Sequence, residues 1–231
     1  MNVAAGLFRA SGNMKYIIMC GGSYKAWEKP RQLTEINGEP IVKRTIRLLR
    51  ACGVQDIAIS SNNDVFKQFG VPVLKHENDY HAYRRNVVGG HWANGFYPTD
   101  EPTCYLFGDV VFSPDAVRTI VEYETDDIMF FGSKRPFAKE YPKRWVEPFA
   151  FKVVDVERFR EAIQKVKHYD AAGRFKRTPI AWELWFTICG HPFEDLENEI
   201  NNSYVGINDY TCDIDYPKDV SLFEDVMENG K

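Results

Sequence analysis

Residues 15–40 read KYIIMCGGSYKAWEKPRQLTEINGEP. The stretch begins with a short apolar run, residues 16–20, of the kind that forms a strand buried on both faces of a sheet. Gly21 and Gly22 follow directly, and they let the backbone turn sharply and approach a ligand without a Cβ in the way. The order predicts a buried strand that ends either in a plain turn or in a ligand-binding loop.

The residues after the glycines favour a ligand that carries phosphate. Ser23, Lys25, Lys29 and Arg31 supply a hydroxyl and three cations. Exposed amides with cations alongside them suit a polyphosphate, because the amides donate hydrogen bonds to its oxygens and the cations neutralise its charge. Glycines after a strand are common in ordinary turns, so this pattern alone does not decide between the two interpretations.

The rest of the chain alternates strands with helices. A helical stripe follows Pro40, and Gly53 stands where a left-handed cap would end that helix. Short apolar runs at 57–60, 71–74 and 103–107 read as strands, the second near a sheet edge because of its proline. Strand, helix and strand at this spacing predict a βαβ unit and a parallel sheet.

The stretch resembles the nucleotidyltransferases that make activated sugars, alcohols and cofactors: the NDP-sugar pyrophosphorylases, cytidylyltransferases and molybdopterin guanylyltransferase. Their pattern is a strand, Gly-Gly-x-Gly-x-Arg, then Pro-Lys-x-Leu and Gly-x-Pro, matched here by Gly21, Gly22, Pro30, Leu33, Gly38 and Pro40. The resemblance implies an α/β fold, Rossmann-like and GT-A-like, with a mostly parallel sheet flanked by helices. We expect one domain over 15–231 after a loose N-terminal extension over 1–14.

Three positions depart from the family pattern. Tyr24 stands in place of the third glycine, Lys25 or Ala26 in place of the arginine, and Arg31 in place of the lysine after proline. Arginine keeps the positive charge but presents a planar fork where lysine presents a compact point charge. These departures bear on catalytic efficiency and on the choice of base.

An aspartate follows the strand at 103–107. Gly108-Asp109 comes at the carboxyl end of that strand, where α/β sheets bind ligands. Ser113 is a good cap for the next helix, so Asp109 has no evident capping duty. The resemblance implies that Asp109 binds Mg²⁺, and that Asp215, in the Asp-x-Pro-x-Asp pattern near the end of the chain, is the second ligand. Asp219, the last residue of that pattern, is expected to cap the last helix.

The resemblance also implies the roles of other residues. The catalytic set is Arg31, Lys25 and Asp109, and the nucleotide-binding set is Cys20, Gly21, Gly22, Ser23, Asn78 and Asn86. For the acceptor, Glu147 resembles a glutamate that sugar-specific relatives place against the sugar. Trp182, Glu183 and Trp185 resemble the acceptor region of choline-phosphate cytidylyltransferases, where cation–π attraction would hold a quaternary amine. Aromatic core packing is the alternative for these tryptophans.

Composition limits the partners. The net charge is −4 and the isoelectric point about 5.8, which argues against a nucleic-acid-binding role dominated by phosphate neutralisation. No apolar segment approaches the length of a membrane span. Five scattered cysteines fit a reducing cytoplasm. The partners we expect are an NTP and a phosphorylated small molecule, with the base, the acceptor and any homo-oligomer left open.

Two other functions fit the same residues. A glycosyltransferase of related fold is one, since Asp213-Ile214-Asp215 is formally an Asp-x-Asp motif, although those enzymes carry it mid-chain. A non-catalytic nucleotide or sugar sensor is the other, because replacement of the family's glycine by Tyr24 and of its lysine by Arg31 is the kind of change that accompanies loss of catalysis. Release of pyrophosphate from an NTP would distinguish the transferase from both.

Overall fold

The computed structural model describes residues 14–21, 27–75, 92–133, 147–175, 181–190 and 204–229. Within them the strands are β1 Lys15–Met19, β2 Glu35–Ile36, β3 Glu39–Pro40, β4 Ile57–Ser60, β5 Val73–Leu74, β6 Thr103–Phe107, β7 Val110–Val111, β8 Ile128–Ser133, β9 Glu147–Val153, β10 Val205–Gly206 and β11 Cys212–Asp213. The helices are α1 Ile41–Ala51, α2 Pro114–Glu122, α3 Val156–Ala171, α4 Ala181–Cys189 and α5 Asp219–Asn229. Short 3-10 helices cover Arg31–Leu33, Asp64–Phe69 and Trp92–Gly95.

A mixed sheet forms the centre of the molecule. Among the described strands, seven join in the order β10-β8-β9-β6-β1-β4-β5. The pairs of β1 with β4 and β6, of β4 with β5, and of β8 with β10 are parallel, whereas β9 runs antiparallel to both of its neighbours. The predicted α/β fold with a mostly parallel sheet is confirmed, and β5 lies at the edge, as Pro72 in the predicted strand over 71–74 indicated.

Alternate residues of β1 face the two layers of helices. Tyr16 and Ile18 pack into a cluster with residues of α1 and α2, and Ile17 and Met19 pack into a second cluster with α3 and α4. A strand with a period of two and apolar residues at every position must be covered on both faces. The central position of β1 therefore follows from the apolar run over residues 16–19, directly after Lys15.

Local signals set the helix boundaries. The Ser113 hydroxyl accepts a hydrogen bond from the amide of Ala116 at 2.9 Å, which caps α2 as predicted. Gly53 adopts a φ of +84° after α1, the left-handed conformation expected of it. None of the helices in the described ranges combines the length and the apolarity needed to cross a membrane.

A second, two-stranded sheet joins the middle of the chain to its end. Residues of β7 pair antiparallel with β11, Val111 opposite Cys212 and Val110 opposite Asp213. The amide of Ile214 extends the pairing by donating to the carbonyl of Asp109 at 3.0 Å. Val111, Cys212 and Ile214 then pack with Phe223 of α5 in a separate apolar cluster. The last helix thus holds the end of the chain against the segment that follows β6.

Gly108 lies where β6 passes very close to β1. Its amide donates to the Met19 carbonyl at 3.0 Å. A Cβ at this position would stand 2.5 Å from that carbonyl oxygen and 2.8 Å from the sulfur of Cys20. Since backbone cannot yield as a flexible side-chain end does, glycine at 108 is a steric requirement of the edge where Asp109 lies.

We expect Gly108→Ala to lower the free energy of unfolding by about 1–3 kcal/mol, the usual cost of overpacking a tight site. Chemical denaturation measures it. Gly206→Ala is the matched control, because a Cβ on this other strand glycine meets nothing nearer than 3.7 Å. Equal stability of the two variants would contradict the steric argument.

Candidate functional site at the carboxyl edge of the sheet

The described structure brings together Asp109 and Asp215, which are distant in the sequence. Asp109 lies in the two-residue turn between β6 and β7, and Asp215 directly follows the residue whose amide bonds to the Asp109 carbonyl. Backbone pairing of β7 with β11 therefore sets both carboxylates at the carboxyl edge of the central strands, beside the end of β1. This is the edge at which α/β sheets bind ligands.

Arg31 joins the two carboxylates. One guanidinium nitrogen of Arg31 forms an ion pair with Oδ2 of Asp109, and another lies 3.5 Å from Oδ1 of Asp215. The second nitrogen also donates to the carbonyl of Ile214 at 3.2 Å. Arg31 begins the 3-10 helix after Pro30, so the Pro-Arg-Gln-Leu segment delivers a cation to both predicted metal ligands.

The surroundings of Arg31 are strongly acidic. Its side chain is 28% exposed, that of Asp109 14% and that of Asp215 33%. Burial acts to lower the pKa of Arg31, but the charges of Asp109, Asp213 and Asp215 raise it overall. The guanidinium is therefore held fully charged in an acidic site that solvent reaches only in part.

These donors are suited to a hard divalent cation. Carboxylate oxygens are the ligands that Mg²⁺ takes from proteins, and one or two carboxylates suffice when substrate phosphates and water complete the octahedron. The described part of the chain holds no group of three or more His, Cys, Asp or Glu side chains arranged for a metal. Asp109 and Asp215 therefore fit an ion that arrives with a phosphate ligand, rather than one held in an all-protein cage.

Two residues that sequence reasoning did not place in the site fix the backbone around Asp215. We expected Asp219 to cap α5, and this is corrected: its buried carboxylate accepts from the amides of Asp215 and Tyr216, at 3.1 and 2.9 Å, which precede the helix. The indole of Trp27 donates to the Asp215 carbonyl at 3.0 Å. The Asp-x-Pro-x-Asp spacing could have placed Asp219 in the site. No sequence pattern pointed to Trp27.

Gln32 was also missed. Its side chain is 3% exposed and its amide nitrogen donates to the carbonyl of Gly21 at 3.3 Å, so it holds the backbone just after β1. Cys20, which precedes Gly21, is also buried. Burial raises the pKa of its thiol well above the usual value, and the charge of Asp109 raises it further. The thiol is thus an inert part of the core, and Cys20 meets a ligand through its backbone or not at all.

Several predicted residues lie outside the described ranges. These are Lys25 of the catalytic set and Gly22, Ser23, Asn78 and Asn86 of the nucleotide-binding set. Their roles stay predictions.

Glu147 opens β9 and is 6% exposed. Leu106 of β6 pairs with Ala150 of β9 in antiparallel register, so Glu147 lies beyond the end of β6, at the edge that carries Asp109. This position is compatible with its predicted contact to an acceptor, which stays a prediction.

The predicted aromatic acceptor residues lie in α4, which is buried around its whole circumference. Trp185 stacks on Phe130 of β8 with ring centres 5.6 Å apart, and its side chain is 4% exposed. Trp182, 3% exposed, stacks on Phe186 within the helix, and Glu183 is fully buried. These contacts are those of core packing, the alternative that the sequence left open. The acceptor role of the three residues stays a prediction.

The fold and the edge site together define an α/β protein of the nucleotide-binding, Rossmann-like class. A family model confirms and narrows this assignment, since residues 16–178 match the MobA-like NTP transferase domain. The chain belongs to that family, as the glycine turn and the Gly-Asp pair had indicated.

Solved structures show the same fold at low sequence identity. A putative glucose-1-phosphate thymidylyltransferase from Bacillus anthracis has a TM-score of 0.55 and 15% identity, over 92% of this chain and 94% of that one. The inositol-1-phosphate CTP transferase from T. maritima gives 0.53 and 17%, over 94% and 98%. The CTP:phosphocholine cytidylyltransferase from Streptococcus pneumoniae gives 0.50 and 15%, over 93% and 99%.

Removal of the carboxylate that holds the Asp215 turn tests the support of the site. We expect Asp219→Asn to lower the free energy of unfolding by about 1–3 kcal/mol, because two partly buried amide bonds lose a charged acceptor. Asp115→Asn is the control, since that carboxylate is 79% exposed. Chemical denaturation of both variants provides the comparison. An unchanged free energy of unfolding in Asp219→Asn would show that the turn forms without the carboxylate.

Truncation of Trp185 tests core packing against an acceptor cage. We expect Trp185→Ala to cost about 3–5 kcal/mol of stability, the range for a buried aromatic side chain. Thermal or chemical unfolding measures this loss. A cage residue would behave differently: the variant would keep its stability and lose affinity for the acceptor.

Proposed function

We propose that this protein transfers a nucleoside monophosphate from an NTP to a phosphorylated small molecule and releases pyrophosphate, with Mg²⁺ as the metal. Membership of the family makes it a nucleotidyltransferase by descent. The observation that carries the proposal is the convergence of Asp109 and Asp215 on one cationic group at the carboxyl edge of the sheet. A sheet edge with two carboxylates and an arginine supplies charges that triphosphate chemistry uses.

The reaction follows from the chemistry of phosphoryl transfer. An oxygen of the acceptor phosphate attacks the α-phosphorus, a P–O bond forms in line, and the bond to the β-phosphate breaks as pyrophosphate leaves. Little covalent work falls to the protein, so rate comes from positioning and from charge neutralisation. In this proposal the Gly21 turn receives the triphosphate, and Lys25 and Arg31 offset the charge that builds on the α-phosphate and the leaving group.

Asp109 and Asp215 would hold the metal ion, which neutralises phosphate charge and orients the α-phosphorus. Asp219 and Trp27 would act through Asp215, because their hydrogen bonds fix the backbone that carries it. Gln32 would act through Gly21 in the same way. The chain therefore contributes two ligands to the metal and a rigid frame around them.

The acceptor class rests on the structural neighbours. Their names specify glucose 1-phosphate, inositol 1-phosphate and phosphocholine, all small phosphate monoesters. A sugar phosphate or an amino-alcohol phosphate is the acceptor proposed here. Burial of Trp182 and Trp185 among core side chains gives the amino-alcohol less support than the sequence did.

Asp109→Asn tests the proposal directly. We expect turnover to fall at least about a hundredfold, the scale on which preorganised charge contributes to such reactions, with the fold retained. The measurement is Mg²⁺-dependent release of pyrophosphate from the four NTPs with a panel of sugar and amino-alcohol phosphates. Asp115→Asn is the control, and circular dichroism checks the fold.

The outcomes separate the rival functions. Retained activity in Asp109→Asn would remove this residue from the mechanism. Binding of Mg²⁺·NTP without turnover across the panel would favour a sensor. Release of NDP from an NDP-sugar would favour a glycosyltransferase that uses Asp213 and Asp215.

A further inference from the structure

The guanidinium of Arg31 and a metal ion would share the same two carboxylates. Arg31 pairs with Oδ2 of Asp109 and lies 3.5 Å from Oδ1 of Asp215. A magnesium ion needs carboxylate oxygens at about 2.0–2.1 Å. An ion bound to both aspartates would therefore stand close to the guanidinium and compete with it for the same two carboxylates.

The surroundings make this competition strong. Asp109 is 14% exposed, so solvent screens the pair less than it would at an open surface. Arginine stays protonated, so its charge cannot be removed to make room for the ion. The 3.2 Å bond to the Ile214 carbonyl further holds the guanidinium in place. A free divalent cation must thus displace or repel a fixed cation to reach Asp109 and Asp215.

The ion pairs that are broken and formed differ when the metal arrives bound to a triphosphate. The incoming phosphates bring negative charge, and a guanidinium displaced from Asp109 gains bidentate phosphate oxygens as new partners. Each ion pair that breaks is replaced by another, which is not so when the metal comes alone. Binding of the metal and binding of the triphosphate then favour one another, and by linkage the coupling is reciprocal.

We propose that Arg31 is an exchangeable counter-ion of the metal site: it neutralises Asp109 and Asp215, excludes a free divalent cation, and moves to the phosphates when the metal and the triphosphate bind together. This deepens the proposed function and rests on its assignment of the two aspartates as metal ligands. Arg31 would thereby favour entry of the metal as its triphosphate complex over entry of the free ion, in addition to offsetting phosphate charge.

Loss of Arg31 should move two affinities in opposite directions. We expect Arg31→Met to bind free Mn²⁺ about tenfold more tightly than the wild type, since one nearby charge shifts such an equilibrium by one or more factors of ten. The same variant should bind the Mn²⁺ complex of tripolyphosphate about tenfold more weakly. Arg31→Lys keeps the charge without the planar fork, so its affinity for free Mn²⁺ should lie between those of the wild type and Arg31→Met.

The measurements need no turnover. Electron paramagnetic resonance of unbound Mn²⁺ gives the metal affinity of the full-length protein, and isothermal titration calorimetry gives that of the tripolyphosphate complex. Arg47→Met is the matched control, because it removes an arginine that forms a bidentate pair with Glu39, at 2.7 and 2.8 Å, on an exposed surface. Arg31→Met combined with Asp109→Asn should lose the tightened Mn²⁺ site.

A purely structural role for Arg31 would weaken both affinities together and would overturn the exchange. An Mn²⁺ affinity in Arg31→Met equal to that of the wild type would overturn it as well, as would an equal gain in Arg47→Met. Failure of the proposed function looks different: pyrophosphate release would be absent with every acceptor while Arg31→Met still tightens Mn²⁺. Absence of any Mn²⁺ binding in both the wild type and Arg31→Met would reject the metal assignment and the exchange together.

Discussion

The short pairing of Val110–Val111 with Cys212–Asp213 is the constraint on which the site depends. It joins the segment after β6 to a segment near the end of the chain, and the bond from Ile214 to Asp109 continues it by one residue. Phe223 of α5 packs against this pair and keeps it closed. Two carboxylates from remote parts of the sequence face one cation because backbone bonds, rather than side-chain contacts, set their spacing.

Arg31 shows how one substitution changes the character of a site. A lysine at this position would offer one compact charge, whereas the planar fork of arginine reaches two carboxylates and the Ile214 carbonyl at once. The site is therefore closer to electroneutral than its aspartates suggest. Affinity for a cation at such a site reflects what the cation must displace as well as the ligands that it gains.

The aromatic helix α4 illustrates an ambiguity of sequence patterns. Tryptophans beside an acidic residue fit a cation cage and a protein core equally well, because both use large apolar surfaces. The structure packs Trp185 on Phe130 and Trp182 on Phe186, in the layer that covers one face of the sheet. Glu183 is buried in the same layer, which composition alone would not indicate.

The sequence by itself determined the fold class, the buried central strand, the helix ends at Ser113 and Gly53, and the edge of the sheet at which Asp109 lies. These follow from periodicity, from glycine and proline, and from capping side chains, all of which act within a few residues. The resemblance implied that Asp215 and Asp109 share one site, whereas the tertiary structure alone decided that Arg31 joins them and that Trp27 donates to the Asp215 carbonyl. Each of those contacts depends on where distant segments dock, and a local pattern carries no information about that distance.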